Sequence, residues 1–244
     1  AALVGFTEWA PQRKWDQPMF SMEACAKLAA EALSDAGIDK GEVDGLVIGG
    51  LQESPLFPPL ALAEYLQIQA NFGEVVDIGG ASSAGMIWRA AAAIEIGLCE
   101  TVLVLVHSTP APVEAGGDAA KMIMPPYLMG DAWGSPQGQF DIPYGLVAAA
   151  PSFAMVAQRY MSQYGVAPET LAKIAVDERN SALKNPKAVF KDKPITIDDV
   201  LASPMVSDPV HLLEMVMPCF GGGAVVLTSA ERAKKAKHRP VFLT

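Results

Sequence analysis

The stretch Asp77–Gly85 reads DIGGASSAG and lies between the apolar run EVV and the helical-looking MIWRAAAAIEIG. A strand that turns sharply through small residues into a helix is a common mount for a nucleophile. The first-turn N–H groups and the helix dipole stabilise negative charge at that point. Here the turn holds serines and glycines and no cysteine, which leaves three chemistries open. Ser82 or Ser83 could attack as an alcohol, although that needs a base within hydrogen-bond reach and no His/Asp partner is visible by spacing. The serines could instead cap a helix over Ala84–Leu98, with the glycines allowing the tight turn. Alternatively, the open turn could serve as a pocket whose N–H donors stabilise an enolate or oxyanion beside a bulky substrate.

Few other residues compete for chemistry. The cysteines are Cys25, Cys99 and Cys219, an odd number without a CxxC pair, and the only histidines are His107, His211 and His238. This pattern fits a reducing compartment and argues against a disulfide framework, a structural zinc or a histidine-rich metal centre. Cys219, in MPCFGGGAVVL, reads first as a buried structural cysteine and second as a displaced nucleophile. His107 ends the strand VLVLV at a point where such sheets border a cleft, and reads as a structural histidine before a general base. Lys184, Lys187 and Lys191 suit either a solvated surface or the phosphates of a coenzyme, and Asp198 and Asp199 suit the start of a short helix.

These residues need a scaffold, and 244 residues at 51% hydrophobic and 18% charged are enough for one large domain or a core with an inserted lobe. The net charge of −9 disfavours nucleic acid as a partner. No apolar run reaches the length of a membrane span, and neither end carries a signal or transit pattern, so a soluble cytoplasmic protein is expected. The ending RPVFLT reads as the opening of a further strand.

Along the chain, residues 2–6 read as a short buried strand before a loop bearing proline and tryptophan. Ser21 is expected to cap a helix with Cys25, Leu28, Ala29, Ala32, Leu33 and Ala36 on one face, and Gly37 to stop it. DGLVIGG is a strand, Leu60–Ile68 a short helix behind a double proline, Val75–Ile78 a strand, and Thr101–Val106 another. Apolar strands alternating with helices point to a sheet covered on both faces. From Pro110 to Ser207 the texture changes to glycine, proline and methionine. Two helices follow, Pro151–Tyr164 with Phe153, Val156, Ala157, Tyr160 and Tyr164 on one stripe, and Pro168–Leu183. We therefore expect a core over 1–109, an inserted lobe over 110–207, and a return strand and helix over 208–244.

The ordered set of segments resembles the N-terminal half of a thiolase, especially the sterol-carrier-protein type. The segments are SMEACAKLAAEALSDAGIDKGEVDGLVIGG, VVDIGGASSAGMIWRAAAAIEIGLCETVLVL, PYGLVAAAPSFAMVAQRYMSQYGVAPETLAKIAVDERNSALKNPKAVF, TIDDVLASPMVSDP and GGGAVVLTSAERA. They cover nearly the whole chain, and RYMSQYG…ERNSALKNPKAVF is the most specific of them. The resemblance implies a layered α/β/α half with an inserted, mainly helical loop lobe. It also implies a second, pseudo-twofold-related half that brings a catalytic histidine and a second cysteine. That half is not among these residues, so the chain is expected to be a fragment or to be completed by a separate subunit.

Aligning the family's Cys-x-Ser-Gly turn puts Gly80 where the nucleophilic cysteine would stand, and a shift of one residue puts Gly79 or Ala81 there. None of the three can form a thioester. The elbow Gly80, Ser82 and Ser83 is thus the expected catalytic locus, with Ala81 beside it. The resemblance places Tyr144 and Phe153 along the acyl and pantetheine pocket. Gly222-Gly223-Ala224 stands where relatives carry an Asp-Gly-Ala turn. The cysteine-less members that this chain resembles are steroid side-chain aldolases, which cleave a β-hydroxyacyl-CoA without an acyl-enzyme and pair with a small OB-fold, zinc-ribbon protein that binds acyl-CoA. The expected function is therefore C–C bond cleavage or formation, of retro-aldol or acyl-transfer type, on acyl-CoA thioesters. We expect a homodimer that can take such a partner, and no metal or cofactor beyond the coenzyme A of the substrate. The competing expectation is a non-catalytic acyl-CoA-binding or scaffold subunit of a hetero-oligomer. A nucleotide-binding domain is disfavoured because VGFTEW, not GxGxxG, follows the first strand.

Overall fold

The computed structural model describes residues 1–16, 19–51, 54, 56–109, 135–146 and 149–243. The first part of the expected lobe, 110–134, and the terminal Thr244 lie outside the described residues. The chain forms two compact units, one of Ala1–Ala10, Trp15–Gly116 and Phe220–Thr244, the other of Pro11–Lys14 and Gly117–Cys219.

The first unit is built on a six-stranded sheet. In chain order its strands are β1 (Ala2–Gln12), β2 (Gly45–Ile48), β3 (Phe72–Val75), β4 (Thr101–Ser108), β7 (Phe220–Thr228) and β8 (Val241–Phe242). In space they run β3-β2-β4-β7-β1-β8. β2 lies parallel to β3 and to β4, whereas β7 returns antiparallel along β4 from Thr101↔Thr228 to Ser108↔Gly221. The sheet is therefore mixed, with its parallel portion at the β3–β2–β4 side.

Side-chain alternation explains why both faces need cover. Leu46, Ile48, Leu103, Leu105, Ala224 and Val226 join a cluster with the helices α1 (Ser21–Ala36) and α2 (Pro58–Leu66). Their neighbours Val47, Val102, Val104 and Leu227 face a second cluster with α3 (Ser82–Glu95). The expected covered sheet is thus present. α1 buries Cys25, Leu28, Ala29, Ala32, Leu33 and Ala36, as its period requires, and ends at Gly37 with φ 69°. The small residues of that face permit close approach: a Cβ on Gly5 would lie 2.7 Å from the Ala36 backbone nitrogen. In β7, a Cβ on Gly222 would meet Leu28 Cδ1 at 2.8 Å and the Val106 carbonyl oxygen at 3.2 Å.

Several sequence expectations are corrected. β1 does not stop at residue 6 but runs through Trp9 to Gln12. Trp9 stacks on Trp15 at 5.6 Å and donates its indole N–H to Glu31, which supports the added length. Ser21 is the buried first residue of α1, and its cap position is Phe20. The double proline lies inside the first turn of α2 rather than before it, where a missing N–H costs nothing.

The second unit contains helices Ala149–Tyr164, Pro168–Ala182 and Ile197–Ala202, and a two-stranded ribbon of β5 (Met205–Ser207) and β6 (Val210–His211). Thr196 and Asp199 cap the third helix reciprocally. The aromatic stripe of the first is not packed: Phe153, Val156, Tyr160 and Tyr164 are all exposed, and Ala154 is the buried residue of that helix. Among the described residues no single helix is long and apolar enough to cross a membrane.

One carboxylate sets the start of the parallel strands. Asp44 accepts the Thr101 N–H at 2.8 Å and the Glu100 N–H at 2.9 Å, and its own N–H donates to the Thr101 carbonyl at 3.1 Å. Hydrogen bonds to a charged acceptor are worth about 1.5–3 kcal/mol. Asp44→Ala is expected to lower the unfolding free energy by about 2 kcal/mol in a urea titration. A loss below about 0.5 kcal/mol, the range of an ordinary surface substitution, would show that the strands hold their register without it.

Candidate active site at the strand-to-helix elbow

β3 ends at Val75, and Val76 N–H still reaches the Ile48 carbonyl of β2 at 3.1 Å. The chain then leaves the sheet, turns through Asp77–Ala81 and enters α3 at Ser82. The elbow therefore sits at the carboxyl edge of the parallel strands, the edge where open α/β sheets bind their ligands. The expected helix over Ala84–Leu98 begins two residues earlier and ends at Glu95, because Ser82 and Ser83 are helical residues rather than caps.

The turn is closed locally. Gly79 adopts φ 63°, a conformation that favours glycine. Its N–H donates to Asp77 Oδ1 at 3.2 Å, and a bridge pairs Ile78 with Gly80. Ser82 Oγ accepts the Ile78 N–H at 2.9 Å and donates to the Gly79 carbonyl at 2.7 Å. The Ser82 hydroxyl thus fastens the turn backwards onto itself. Its proton is committed to a carbonyl, with no histidine in the bond, so the arrangement does not make Ser82 an activated nucleophile. Ser83 is exposed, and among the described residues no base is bonded to it. The first helical turn presents the Ser83 and Ala84 N–H groups without a helical acceptor, beside the exposed residues Ile78, Gly79, Gly80 and Ala81.

The glycines differ in what they require. A Cβ on Gly85 would fall 2.7 Å from Ile78 Cδ1 and 3.4 Å from Val76 Cγ1, so α3 lies close over this strand end. Gly80 has a φ outside the left-handed region, and no described atom lies within 4 Å of where its Cβ would stand.

No thiolate replaces the missing nucleophile. Cys25 and Cys99 are buried. Burial, helped by Asp44, pushes the Cys99 thiol up to about 11. Cys219, expected to be buried, is only half-buried, and burial still raises its thiol pKa against the opposing pull of Arg13. The histidines are placed as follows. His107 lies in β4 opposite Gly222, with Nδ1 3.5 Å from Thr109 Oγ1. His211 Nδ1 lies 3.1 Å from Glu214, and His238 lies 3.1 Å from Asp35.

Of the expected site residues, the structure brings Gly80, Ala81, Ser82 and Ser83 together at the elbow. Tyr144 and Phe153 belong to the second unit, where their side chains are 81% and 69% exposed. Asp77 was given no role from sequence, yet its carboxylate shapes the turn. The Asp-x-Gly spacing, in which a short acid accepts the N–H two residues on, was the available signal. A shallow depression bounded by Phe6, Thr7, Glu31, Ser34, Asp35 and Lys237 lies elsewhere in the first unit. Its polar groups bond one another: Thr7 to Glu31, the Phe6 N–H to Asp35, and Lys237 to the Ser34 carbonyl.

Because the Ser82 hydroxyl ties the turn, Ser82→Ala is expected to cost about 1 kcal/mol of stability in denaturant titration. Whatever reaction the elbow serves should slow only several-fold. Loss of activity by about a thousandfold or more with the fold intact would instead identify Ser82 as the attacking group.

Comparison with known proteins agrees with this geometry. No protein-family model matches the chain. A steroid side-chain-cleaving aldolase of Thermomonospora curvata is 33% identical over 245 residues, 99% of this chain and 59% of the relative. A 17-hydroxy-3-oxo-4-pregnene-20-carboxyl-CoA lyase of Mycobacterium tuberculosis is 30% identical over 223 residues, 91% of this chain and 56% of that protein. The chain thus spans somewhat more than half the length of these relatives. Among solved structures, an Ltp2-ChsH2(DUF35) aldolase superposes with a TM-score of 0.78 at 27% identity, over 99% of this chain and 59% of that one. A monomeric SCP2-thiolase like protein type 1 from Mycobacterium smegmatis shares the fold, with a TM-score of 0.69 at 20% identity over 96% of this chain and 46% of that one. The mixed sheet with helices on both faces, the elbow at its carboxyl edge and these likenesses agree: over the part that it spans, the chain is similar to steroid side-chain-cleaving aldolases and shares its fold with thiolase-like proteins.

Proposed function

We propose that this protein cleaves or forms a C–C bond next to the thioester of an acyl-CoA, without an acyl-cysteine intermediate. The observation that carries the reading is the elbow itself. It has the position and turn geometry of a nucleophile mount, yet it holds Gly80 instead of a thiol, and burial raises the thiol pKa of both Cys99 and Cys219.

A retro-aldol step needs no attack by the enzyme. A base removes the hydroxyl proton of a β-hydroxyacyl-CoA and the oxygen electrons form a carbonyl. The Cα–Cβ bond then breaks, and its pair becomes the enolate of the shorter acyl-CoA, which is protonated afterwards. The group to be stabilised is the thioester oxygen as it gains charge. Fixed N–H donors such as those of Ser83 and Ala84 suit that task, because they are oriented before the charge appears. Acyl transfer through a thioester to the enzyme would need a low-pKa thiol, and the elbow has none.

The names of the relatives support this substrate class: one is a side-chain-cleaving aldolase, another a carboxyl-CoA lyase. In this reading Tyr144 and Phe153 offer exposed rings to an acyl or pantetheine chain, and the lobe over 110–207 supplies them. The protein works in the cytoplasm as a homodimer, with no cofactor beyond the coenzyme A of its substrate. The name that joins Ltp2 to ChsH2 supports a second component, which we take to be a small OB-fold, zinc-ribbon protein that binds acyl-CoA.

The test is to incubate the full-length protein, alone and with such a partner, with β-hydroxyacyl-CoAs. We expect release of a ketone or aldehyde and the matching shorter acyl-CoA, with no acyl adduct on the protein by intact-mass measurement. Binding of the CoA ester without turnover would favour a non-catalytic acyl-CoA-binding subunit. Neither binding nor turnover would sink both readings.

A further inference from the structure

We propose that Gly80 is a specificity-determining position: the missing side chain leaves the space that the apolar, branched part of the acyl group occupies beside the reacting carbons. This rests on the reading of the elbow as an acyl-CoA site and goes further by naming which part of the substrate the glycine admits.

Gly79, Gly80 and Gly85, two in the turn and one in the first turns of α3, differ in what requires them. Gly79 is required by its backbone, since φ 63° strains any residue with a Cβ. Gly85 is favoured by packing, since a Cβ would fall 2.7 Å from Ile78 Cδ1. Gly80 is required by neither: its φ is ordinary and no described atom stands within 4 Å of a Cβ there. A glycine with no conformational or packing reason weakens the turn through the extra freedom of the unfolded chain. The described residues give Gly80 no structural task, which leaves the exposed surface beside it open to a ligand.

The surroundings indicate the chemistry of the occupant. Ile78 is 59% exposed next to Gly80, Ala81 follows it, and Ser82 directs its hydroxyl into the turn, so its polar group is not offered outward. The Asp77 carboxylate of the same turn faces the Gly79 N–H. An apolar group fits such a surface, and a bulky one benefits most from the absent side chain. The coenzyme tail, with its phosphates, finds no cation at this turn and is not the part that Gly80 admits.

The experiment compares the full-length wild type with Gly80→Ala by calorimetric titration against cyclohexylacetyl-CoA, acetyl-CoA and free coenzyme A. Cyclohexylacetyl-CoA carries a branched ring but no β-hydroxyl, so retro-aldol cleavage cannot consume it. We expect the variant to keep or slightly raise its melting temperature and to bind free coenzyme A unchanged. It should bind cyclohexylacetyl-CoA about tenfold more weakly or worse, the usual effect of overfilling a fitted space. Acetyl-CoA should be affected less. A lowered melting temperature would overturn the inference, because the chain itself would then need the glycine. So would equal binding of the ring-bearing ester by both proteins, or equal weakening of all three ligands. If the wild type binds none of them, the reading of the elbow as an acyl-CoA site fails as well.

Discussion

The elbow depends on the register of three parallel strands, and Asp44 clamps that register at the far end of the sheet. Its carboxylate collects the Glu100 and Thr101 N–H groups where β4 begins, while its backbone closes on the Thr101 carbonyl. The Asp44 carbonyl in turn accepts the N–H groups of Asn71 and Phe72 ahead of β3. One residue thus aligns the starts of β2, β3 and β4. From there Gly45–Ile48 runs in step with Phe72–Val75 on one side and Val102–Leu105 on the other. β2 and β3 therefore end together at the opposite edge, and β4 runs on past them to Ser108. A slip of one residue would turn Leu46 and Ile48 from the α1 and α2 side to the α3 side and empty both cores.

With the strand ends aligned, small residues let the helices come close enough to finish the edge. Gly5 admits the end of α1, Gly222 admits Leu28, and Gly85 admits Ile78 beneath α3. The turn at Asp77–Ala81 then holds itself, through the Ser82 hydroxyl, the Asp77 carboxylate and the left-handed Gly79. Among the described residues, the side chains that hold it are Asp77 of the turn itself and Ser82 of the adjoining helix. A self-supporting turn can keep the geometry of a nucleophile mount after the nucleophile is gone, and its N–H groups remain oriented for chemistry that develops charge on the substrate.

Much of this was legible in the residues. The helix through Ala36 and its end at Gly37 followed from period and from the glycine stop, and the short apolar runs LVI and VLVLV fitted strands buried on both faces. The elbow was legible because small residues between an apolar strand and an alanine-rich helix have few other uses. What failed was decided by long-range contacts. β1 passes residue 6 because it has a place in the sheet beside β7, and Trp9 finds Trp15 and Glu31 there. The aromatic stripe at Phe153–Tyr164 has the spacing of a buried face and is exposed, and period alone cannot tell a packed stripe from an unpartnered one.

The sequence by itself determined the element order, the two covered faces and the absence of a thiol at the turn, because local propensity and alternation act over a few residues. The direction of the Ser82 hydroxyl, the role of Asp77 and the open space at Gly80 were decided only in three dimensions. Each depends on where a hydrogen-bond partner or a neighbouring atom lies, and in a turn of small residues the letters are compatible with several such arrangements. Two serines and three glycines read alike as caps, nucleophiles or spacers until the fold gives each one its neighbours.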